Sequence, residues 1–486
     1  MTLGELFDGI CAIPEALRET AVLGVSSDSR EIAAGFLFVC IKGASFDGHS
    51  AAEKMLQNGA CAVVTTKLLG IKGEINVPDS RKLYPELLSA FYGRPTKRLK
   101  LGAVTGTNGK TTTVNLCAQI TRALGHQTAV IGTLGTDTGR GLKYSHDGPP
   151  TTPEPRKLYE LFSEMRDIGT EYCFMEASSQ ALSQHRFASE RFAAAAFTNL
   201  TRDHLDYHKT MENYYSAKLS LFDMTDAAVL NIDDEYGART AEYCRENGIP
   251  YVTTSVLAKA DYYTETVKLQ SSRADILLTD SAAGKSYPVS LKMTGLYNVS
   301  NAIQAAVMCS KMGFELTDCL CALEKIDGVS GRLETLYDGR FTVIRDYAHT
   351  GDGLEKLLGT LKPLTKGRLI ALFAAAGERD AGKRPEMGEA AAKYADVLIV
   401  TTDSPRHESP QQTIDDVVRG IPEGRGHFEF IDRREAVFAA LDMAKEGDVV
   451  ALCGKGHEDY QAIGDEYLHF DEKELVEEWL NAKPQN

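Results

Sequence analysis

The sequence predicts an α/β protein of about three domains built on mostly parallel sheets. Its 486 residues exceed what one hydrophobic core ordinarily serves. Short apolar runs of strand length alternate with amphipathic stretches of helix length, a pattern typical of parallel sheets with crossover helices. Polar residues also follow directly where many of the apolar runs end. This arrangement is typical of open sheets that bind ligands beyond the carboxyl ends of their strands.

Composition is that of a globular protein with a substantial core, having 43% hydrophobic and 25% charged residues. The 53 basic and 68 acidic residues give a net charge of −15, which argues against general binding to nucleic acid or anionic membranes. The start MTLGELFDGI lacks the pattern of a signal peptide, and no run of about 18 apolar residues occurs. We therefore expect a cytoplasmic protein without membrane insertion. The ten cysteines include no C-x-x-C pair, so we expect ordinary thiols.

Residues 1–97 are predicted to form a small N-terminal α/β domain. The apolar runs at 37–39 and 61–64 indicate buried strands around a helix at 51–57. Ser29 lies in a polar cluster, D-S-R, just before the first of these strands. Residue chemistry alone leaves two interpretations of this cluster, a ligand-binding edge or a solvated turn.

The motif V-T-G-T-N-G-K-T-T-T at 104–113 joins a predicted strand to a predicted helix that ends near Gly125. Such a turn directs backbone N–H groups and the positive end of the helix dipole toward one point, which suits phosphate. Lys110 would add a positive charge for the outer phosphates and Thr111 a hydroxyl for Mg²⁺. Val104 stands where a standard Walker A motif has its first glycine. The residues expected to contact the nucleotide here are Gly106, Thr107, Asn108, Gly109, Lys110, Thr111 and Thr112.

Further strand ends in the central region also carry polar residues. Glu176 directly follows the apolar run at 172–175 and would be costly to bury without a cation or donor. The run at 193–197 precedes T-N-L-T-R-D-H-L-D-Y-H, which is either part of a Mg²⁺ site or a capped loop with surface histidines. Lys218 lies on a predicted helix with an apolar side, where a lysine is by default a surface residue.

From residue 328 the strand pattern restarts, with strands predicted at 341–344, 369–373, 397–400 and 449–452. Each is followed by a polar cluster: D-Y-A-H-T at 346–350, G-E-R-D-A-G-K-R at 377–384, D-S-P-R at 403–406 and G-K-G-H-E at 454–458. Four such strand ends favour a common ligand site over unrelated loops.

Together these motifs resemble the Mur ligase family, the ATP-dependent amide-forming enzymes of peptidoglycan synthesis. The motif at 106–113, Glu176, the cluster at 198–208, Y-Y-x-x-K-x-x-L-F around Lys218, Y-N-V-S-N-A at 297–302, G-R-L-E at 331–334, D-Y-A-H-T and G-K-G-H-E occur in that family's order. The resemblance implies an N-terminal UDP-substrate domain at 1–97 and a central P-loop-type ATPase domain with a mostly parallel sheet at 98–327. It also implies a C-terminal Rossmann-like domain at 328–486 that binds the incoming amino acid.

Within the family, the chain resembles the member that adds the third peptide residue to UDP-N-acetylmuramoyl-L-alanyl-D-glutamate. The distinguishing motifs are D-S-R near residue 29, T-T-P at 151–153, S-S-x-x-L-x-Q-x-R ending at Arg186, E-R-D-x-G-K-R and D-S-P-R. This implies ATP and Mg²⁺ as cofactors, an acyl phosphate intermediate and a monomer. An arginine closing D-S-P-R suits the second carboxylate of meso-diaminopimelate, which L-lysine lacks. L-lysine or another acceptor, and a nucleotide-binding regulator without turnover, stay open as alternatives.

The resemblance also implies roles by position. The expected catalytic residues are Lys110, Lys218, His204, Glu176, Arg332 and His349. Mg²⁺ would be held by Thr111, Glu176 and His204, and by Lys218 if it is carbamylated. Further nucleotide contacts are Asn298, Asn301, Arg332, Asp346 and Lys383. Contacts to the UDP-muramoyl-dipeptide are Ser29, Thr151, Thr152, Ser178, Gln184 and Arg186. Contacts to the amino acid are Arg379, Asp403, Ser404, Pro405, Arg406, Gly454 and Glu458.

Three positions depart from the family pattern. Ser404 replaces the usual asparagine of D-N-P-R, Gln180 stands where histidine is common, and Gly351 stands where proline is usual. None of them is an expected phosphate or metal residue. The departures therefore bear on which amino acid is added and leave the amide-ligase chemistry in place.

Overall fold

The computed structural model describes residues 1–43, 46–143, 151–187, 190–379 and 381–482. The chain divides into two compact units. Unit 1 comprises Met1–Ser255 and Ile303–Cys319, and unit 2 comprises Val256–Ala302 and Leu320–Asn486. Both units are mixed α/β, and over the described strands of the two units parallel pairings outnumber antiparallel ones, which confirms the predicted fold class.

The N-terminal part of unit 1 is a parallel sheet in the order β1-β2-β3-β4. Its strands are β1 (Gly24–Ser26), β2 (Phe36–Val39), β3 (Ala62–Thr65) and β4 (Glu74–Asn76). Its helices are α1 (Leu3–Leu6), α2 (Ala52–Gln57) and α3 (Ser80–Phe91). The strands predicted at 37–39 and 61–64 and the helix between them are therefore confirmed to within a residue or two.

A second sheet of unit 1 contains the phosphate-loop candidate. Its strands are β5 (Lys100–Thr105), β6 (Thr128–Gly132), β7 (Gly135–Asp137), β8 (Leu142–Lys143), β9 (Tyr172–Glu176), β10 (Ala194–Phe197), β11 (Ala228–Asn231) and β12 (Tyr251–Ser255). They follow the order β12-β11-β10-β5-β9-β6-β7-β8, in which β12 to β6 pair in parallel and β7 and β8 are antiparallel. Its helices are α4 (Lys110–Ala123), α5 (Pro155–Asp167), α6 (Ser179–Ser183), α7 (Leu205–His208), α8 (Met211–Leu219) and α9 (Glu235–Glu246). Because β5 lies between β9 and β10, the three carboxyl ends that carry polar residues are neighbours.

Unit 2 contains three antiparallel strands that the sequence analysis did not predict. They are β13 (Tyr262–Leu269), β14 (Ala274–Asp280) and β15 (Lys285–Leu291). In β14, buried residues alternate with half-buried ones, and most of β13 is partly or fully exposed. Strands with one solvated face lack the continuous apolar runs from which the other strands were predicted. Helices α10 (Leu296–Lys311) and α11 (Leu316–Leu323) follow, and the chain passes from one unit to the other within them.

The larger sheet of unit 2 runs in the order β16-β17-β21-β18-β19-β20, with β17 to β20 parallel and β16 antiparallel. Its strands are β16 (Glu334–Asp338), β17 (Thr342–Asp346), β18 (Leu369–Phe373), β19 (Val397–Thr401), β20 (Phe428–Phe430) and β21 (Val449–Cys453). A hairpin of β22 (Tyr460–Ile463) and β23 (Glu466–His469) follows. The remaining helices are α12 (Gly351–Leu361), α13 (Arg384–Tyr394), α14 (Pro410–Val418), α15 (Arg433–Met443) and α16 (Glu472–Ala482). Short 3₁₀ turns occupy Glu15–Leu17, Gly48–Ala51, Pro95–Arg98, Phe222–Met224, Lys362–Leu364 and Ala381–Lys383.

Both faces of this larger sheet are covered. Ile344, Ala371 and Val400 face a core formed with α12, α13 and α14. Val343 and Ile370 face a second core formed with α15 and α16. Burial on both faces explains why these strands read as continuous apolar runs. Over the described ranges, the structure contains no helix that is both long enough and apolar enough to cross a membrane.

Candidate active site

The phosphate-loop candidate of unit 1 lies where the sequence predicted it, between the end of β5 at Thr105 and the start of α4 at Lys110. Gly106 has a φ of 150° and Gly109 a φ of 86°, conformations that favour glycine. A Cβ added to Gly106 would lie 1.9 Å from Oγ1 of Thr198. The loop can therefore approach the end of β10 only because residue 106 has no side chain.

Residues after β10 fix the shape of this loop. The Thr198 hydroxyl donates to the Asn108 carbonyl over 2.6 Å. The Asn199 side chain accepts the Asn108 N–H over 3.0 Å, and the Asn199 carbonyl accepts the Thr107 N–H over 2.9 Å. The T-N pair that opens the cluster at 198–208 thus braces the loop from the neighbouring strand.

Two lysines converge on one carbonyl of the loop. Lys110 Nζ donates to the carbonyls of Gly106 and Thr107, each over 2.9 Å, and Lys218 Nζ donates to Gly106 over 2.8 Å. Lys218 is only 1% exposed and lies over the Tyr214 ring. Burial, reinforced by the nearby Lys110 charge, holds the pKa of the Lys218 amine well below its usual value. The default interpretation of Lys218 as a surface residue was therefore wrong, because α8 turns it into the protein.

Glu176, the last residue of β9, is a buried carboxylate with several donors. The Thr111 hydroxyl donates to it over 2.9 Å, and the Thr133 N–H over 2.8 Å. The Thr133 hydroxyl donates to its other oxygen over 3.2 Å. These donors satisfy the charge that the sequence marked as costly to bury. The structure thus brings Thr111 and Glu176 together at the start of α4.

His204 lies on the exposed side of the same region. It has a positive φ of 50°, and its Nε2 is 3.6 Å from a carboxylate oxygen of Asp203. About half of each of the two side chains is exposed. No hydrogen bond joins His204 to Thr111 or Glu176 within the described residues.

The hydroxyl oxygen of Thr111 and the carboxylate oxygens of Glu176 are metal ligands of the type that Mg²⁺ prefers. In the part of the chain that the structure describes, no group of three or more His, Cys, Asp or Glu side chains is arranged to hold a metal. A Mg²⁺ ion that shares phosphate oxygens and water needs only one or two protein ligands. A buried carboxylate hydrogen-bonded to a hydroxyl in the first turn of α4, directly after the phosphate loop, fits that requirement.

Residues expected to contact the muramoyl dipeptide form a network beside Glu176. The Thr152 hydroxyl donates to the Glu176 carbonyl over 2.7 Å, and the Ser178 N–H donates to the Thr152 hydroxyl over 3.1 Å. The Arg186 guanidinium donates to the Thr152 carbonyl and, over 2.9 Å, to the Gln184 side chain. Thr151 lies beside Thr133, with 3.3 Å between their hydroxyl oxygens.

Ser29 lines a cavity of about 760 Å³ in unit 1. The segment 26–31 forms one wall and the start of α5 contributes another. Asp28 pairs with Arg30 over 2.5 Å, and Glu31 pairs with Arg156 of α5. The Arg30 side chain holds the pKa of Asp28 below its usual value. The D-S-R cluster therefore borders a cavity, and its role as a ligand-binding edge stays a prediction.

A cavity of about 430 Å³ lies at the strand ends of unit 2. The predicted residues that line it are His349, Arg379, Lys383, Asp403, Ser404, Arg406, Gly454 and Glu458. Tyr347 and Tyr460 line it as well, although the sequence analysis did not single them out. Pro405 stands between two lining residues without lining the cavity itself.

The hairpin of β22 and β23 holds the D-S-P-R segment against this cavity. Arg406 has a positive φ of 54°, and its N–H donates to the Ala462 carbonyl over 3.0 Å. The Ala462 N–H donates to the Ser404 hydroxyl over 3.1 Å. Within the described ranges, the guanidinium groups of Arg406 and Arg379 make no ion pair. Two such cations lining one cavity suit a ligand with carboxylates.

Several residues of unit 2 that are expected to contact the nucleotide lie around the carboxyl end of β17. The Asp346 carboxylate accepts the N–H groups of Leu333 and Ala348 over 2.7 and 2.9 Å. Burial raises the pKa of Asp346, although the Arg332 charge opposes that shift. Arg332 lies over the Tyr347 ring, and its buried Nε has no hydrogen-bond partner among the described residues.

Two further expected nucleotide residues lie on α10. Asn298 and Asn301 are both buried on this helix. The Asn298 amide donates to the Thr294 carbonyl over 3.1 Å, which fixes the orientation of its side chain.

Three models of one family match the chain. The Mur ligase family catalytic domain matches residues 21–92, the Mur ligase middle domain residues 104–309, and the Mur ligase glutamate ligase domain residues 331–456. Each match falls within one of the three predicted domains, whose exact boundaries stay predictions.

Relatives and solved structures agree with these matches. The UDP-N-acetylmuramoyl-L-alanyl-D-glutamate--2,6-diaminopimelate ligase 1 of Clostridium acetobutylicum is 40% identical over 460 residues, 93% of each chain. A solved structure of a ligase with the same activity in its name has a TM-score of 0.77 and 33% identity, covering 99% of both chains. The MurF ligase of Thermotoga maritima in complex with ADP shares the fold, with a TM-score of 0.55, 16% identity, and 90% of this chain and 94% of that one covered. The chain belongs to the Mur ligase family.

Proposed function

We propose that the protein is an ATP-dependent amide ligase that adds meso-diaminopimelate to UDP-N-acetylmuramoyl-L-alanyl-D-glutamate during cytoplasmic synthesis of peptidoglycan precursors. The carrying observation is the phosphate loop, whose carbonyls bind Lys110 and which leads into Thr111, hydrogen-bonded to the buried Glu176 carboxylate. The Clostridium acetobutylicum relative, at 40% identity, is named for this activity. The cavity of unit 2, lined by both arginines and carboxylates, supports an amino acid with more than one carboxylate as the co-substrate.

The first step activates the substrate carboxylate. One carboxylate oxygen attacks the γ-phosphorus of ATP, and the bond to the β-phosphate oxygen breaks, giving an acyl phosphate and ADP. The N–H groups of the loop and the Lys110 ammonium bind the phosphates and neutralise their charge. Mg²⁺, held by Thr111, Glu176 and His204, would supply further charge neutralisation there. Asn298, Asn301, Arg332, Asp346, His349 and Lys383 are proposed to bind the rest of the nucleotide.

Lys218 is proposed to be carbamylated. Its lowered pKa increases the fraction of neutral amine relative to an ordinary lysine, and a neutral amine adds CO₂ with formation of an N–C bond and release of one proton. The resulting carbamate replaces a buried cation near Lys110 with an anion, which relieves the repulsion between the two lysines. It also gives the site a second oxygen ligand set for Mg²⁺.

The second step forms the amide. The ammonium of diaminopimelate releases a proton to solvent, and the resulting amine attacks the carbonyl carbon of the acyl phosphate. The bond from that carbon to the phosphate oxygen breaks, phosphate leaves, and the nitrogen loses a second proton to solvent as the amide forms. Arg406 and Arg379 are proposed to bind carboxylates of the amino acid, with Asp403, Ser404, Gly454 and Glu458 completing the cavity. Ser29, Thr151, Thr152, Ser178, Gln184 and Arg186 are proposed to bind the UDP-muramoyl-dipeptide.

The test is ADP production with the UDP-muramoyl-dipeptide, ATP and Mg²⁺, assayed against a panel of amino acids. We expect ADP only when meso-diaminopimelate is present, together with one tripeptide product by mass spectrometry. ADP production with L-lysine instead would reassign the amino acid within the same chemistry. Absence of substrate-dependent ADP production with every amino acid would overturn the proposal. A single species of about 53 kDa in solution is expected for the proposed monomer.

A further inference from the structure

Lys455 is a buried lysine beside the cavity of unit 2, in the segment that follows β21. Its side chain is fully buried, and its ammonium lies 3.2 Å from the Asp403 carboxylate and 3.0 Å from that of Glu458. It also lies 3.4 Å from the Ser404 hydroxyl and over the ring of Tyr460. Asp403, Ser404, Glu458 and Tyr460 all line the cavity. The Lys455 ammonium thus contacts four of the residues that line the cavity, although Lys455 does not line it itself.

Each carboxylate uses one oxygen for this contact. Lys455 pairs with Oδ1 of Asp403 and with Oε2 of Glu458. The second oxygens, Oδ2 of Asp403 and Oε1 of Glu458, accept no hydrogen bond from the described residues and are not among the atoms buried without a partner. They are therefore available to a ligand in the cavity.

The charge balance of this cluster determines what the free oxygens bind. Two carboxylates and one ammonium leave a net charge of about −1 if all three are ionised. Burial raises the pKa of Glu458, while Lys455 opposes that shift. Burial would also raise the pKa of Asp403, but Lys455 and then Arg433 bring it below its usual value. A small anionic cluster with two fixed acceptor oxygens suits an ammonium group.

Other titratable and charged groups face the two carboxylates from neighbouring elements. The segment after β17 contributes Tyr347 and His349, and His349 acts on both carboxylates. The hairpin contributes Tyr460, and α15 contributes Arg433. Lys455 differs from all of these because it contacts both carboxylates directly.

We propose that Lys455 is a positioning residue for the amino-acid substrate: its buried ammonium holds Asp403 and Glu458 as a fixed pair of acceptors for an ammonium group of that substrate. This inference rests on the proposed function and adds to it a residue and a recognised group. Without Lys455, the two carboxylates repel each other and one of them binds a proton, so the pair loses one of its two charged acceptors and its fixed orientation.

The test compares Lys455→Met with the wild type in the full-length enzyme, using steady-state kinetics with meso-diaminopimelate, ATP and the UDP-muramoyl-dipeptide. We expect the KM for diaminopimelate to rise about tenfold or more while the KM for ATP is unchanged. We also expect the acid limb of kcat/KM for diaminopimelate to move to higher pH, because removing the cation raises the pKa of the carboxylate pair. Lys455→Arg keeps the charge and should keep the acid limb near its wild-type position.

A control separates this effect from a loss of stability. Arg368→Met breaks a pair with Asp448 at the amino ends of the parallel strands β18 and β21, whereas Lys455 follows the carboxyl end of β21. It should lower the thermal midpoint without changing the KM for diaminopimelate or the pH profile. The inference is overturned if Lys455→Met changes only the thermal midpoint and leaves the KM for diaminopimelate and the pH profile unchanged, while the wild type adds diaminopimelate to the dipeptide. A wild type that fails to couple diaminopimelate overturns the proposed function instead.

A second variant keeps the test decisive if Lys455→Met does not fold. In Lys455→Met/Glu458→Gln only one carboxylate remains, so the buried excess of negative charge is smaller. We expect this double variant to have a higher KM for diaminopimelate than Glu458→Gln alone, and an acid limb at higher pH, because Lys455 lowers the pKa of the remaining Asp403 carboxyl. Equal KM values for the double and single variants would refute the positioning role.

Discussion

The Thr111 hydroxyl donates a hydrogen bond to the Glu176 carboxylate over 2.9 Å, although the two residues are 65 positions apart in the sequence. Thr111 lies in the first turn of α4, and Glu176 ends β9. The pair forms because β5, which leads into the loop, lies beside β9 in the sheet. The order of the strands in the sheet thus brings the proposed phosphate loop next to the proposed Mg²⁺ ligand Glu176.

Replacing Lys110 with methionine should reduce amino-acid-dependent phosphate release roughly 1,000-fold, because a charge is removed where phosphoryl charge is neutralised. The measurement is kcat with all substrates saturating. Lys100→Met, at the other end of β5, is the matched control and should retain activity. Wild-type turnover in Lys110→Met would contradict the assignment of this loop.

Glu176→Gln should raise the Mg²⁺ concentration needed for half-maximal activity about tenfold or more, since an amide is a weaker ligand than a carboxylate for this ion. A Mg²⁺ titration of ADP production measures the change. Glu171→Gln, at an exposed position just before β9, serves as the control. Equal Mg²⁺ dependence in both variants would exclude Glu176 as a ligand.

Lys218 should show a carbamate signal by ¹³C NMR when the enzyme is equilibrated with ¹³C-bicarbonate, and Lys218→Ala should lack it. Because the folded pKa is lowered, the unfolded state binds more protons than the folded state between that pKa and the usual lysine value. The contribution of this group to stability therefore rises with pH in that window and falls as the pH is lowered. The carbamate signal should also decrease as the pH is lowered, since the protonated amine does not add CO₂. A signal that persists in Lys218→Ala would rule out this site.

Arg406→Met should reduce the preference for diaminopimelate over L-lysine by about 10- to 100-fold, because the variant loses a partner for the second carboxylate. The ratio of kcat/KM values for the two amino acids is the measurement. Arg434→Met, which removes an exposed arginine paired with Glu478 on the surface of unit 2, is the control. An unchanged ratio in Arg406→Met would remove the structural basis for selecting diaminopimelate.

Buried parallel strands were the part of the fold that the sequence predicted best. The run at 369–373 coincides with β18, and the run at 172–175 differs from β9 by one residue. Such strands are apolar on both faces and end abruptly at polar residues. By contrast, β13 and the hairpin of β22 and β23 escaped notice because one or both of their faces are exposed.

Residues of the site were predictable where a motif or a strand end marked them. Glu176 could be singled out because a charge follows an apolar run. The burial of Lys218 could not be predicted from spacing, since a lysine beside the apolar side of a helix ordinarily extends its ammonium to solvent, and only the packing of α8 shows that this one is buried. Lys455 lies between two expected residues of G-K-G-H-E, yet only the structure shows that its ammonium joins two carboxylates.

Gly106 also limits how this protein can change over evolutionary time. Any other residue at that position would place its Cβ 1.9 Å from Oγ1 of Thr198. The same hydroxyl holds the Asn108 carbonyl, so shortening residue 198 to make room would release the loop. A tolerated substitution at position 106 would therefore need a compensating rearrangement around residue 198, so we expect single substitutions at this position to be selected against.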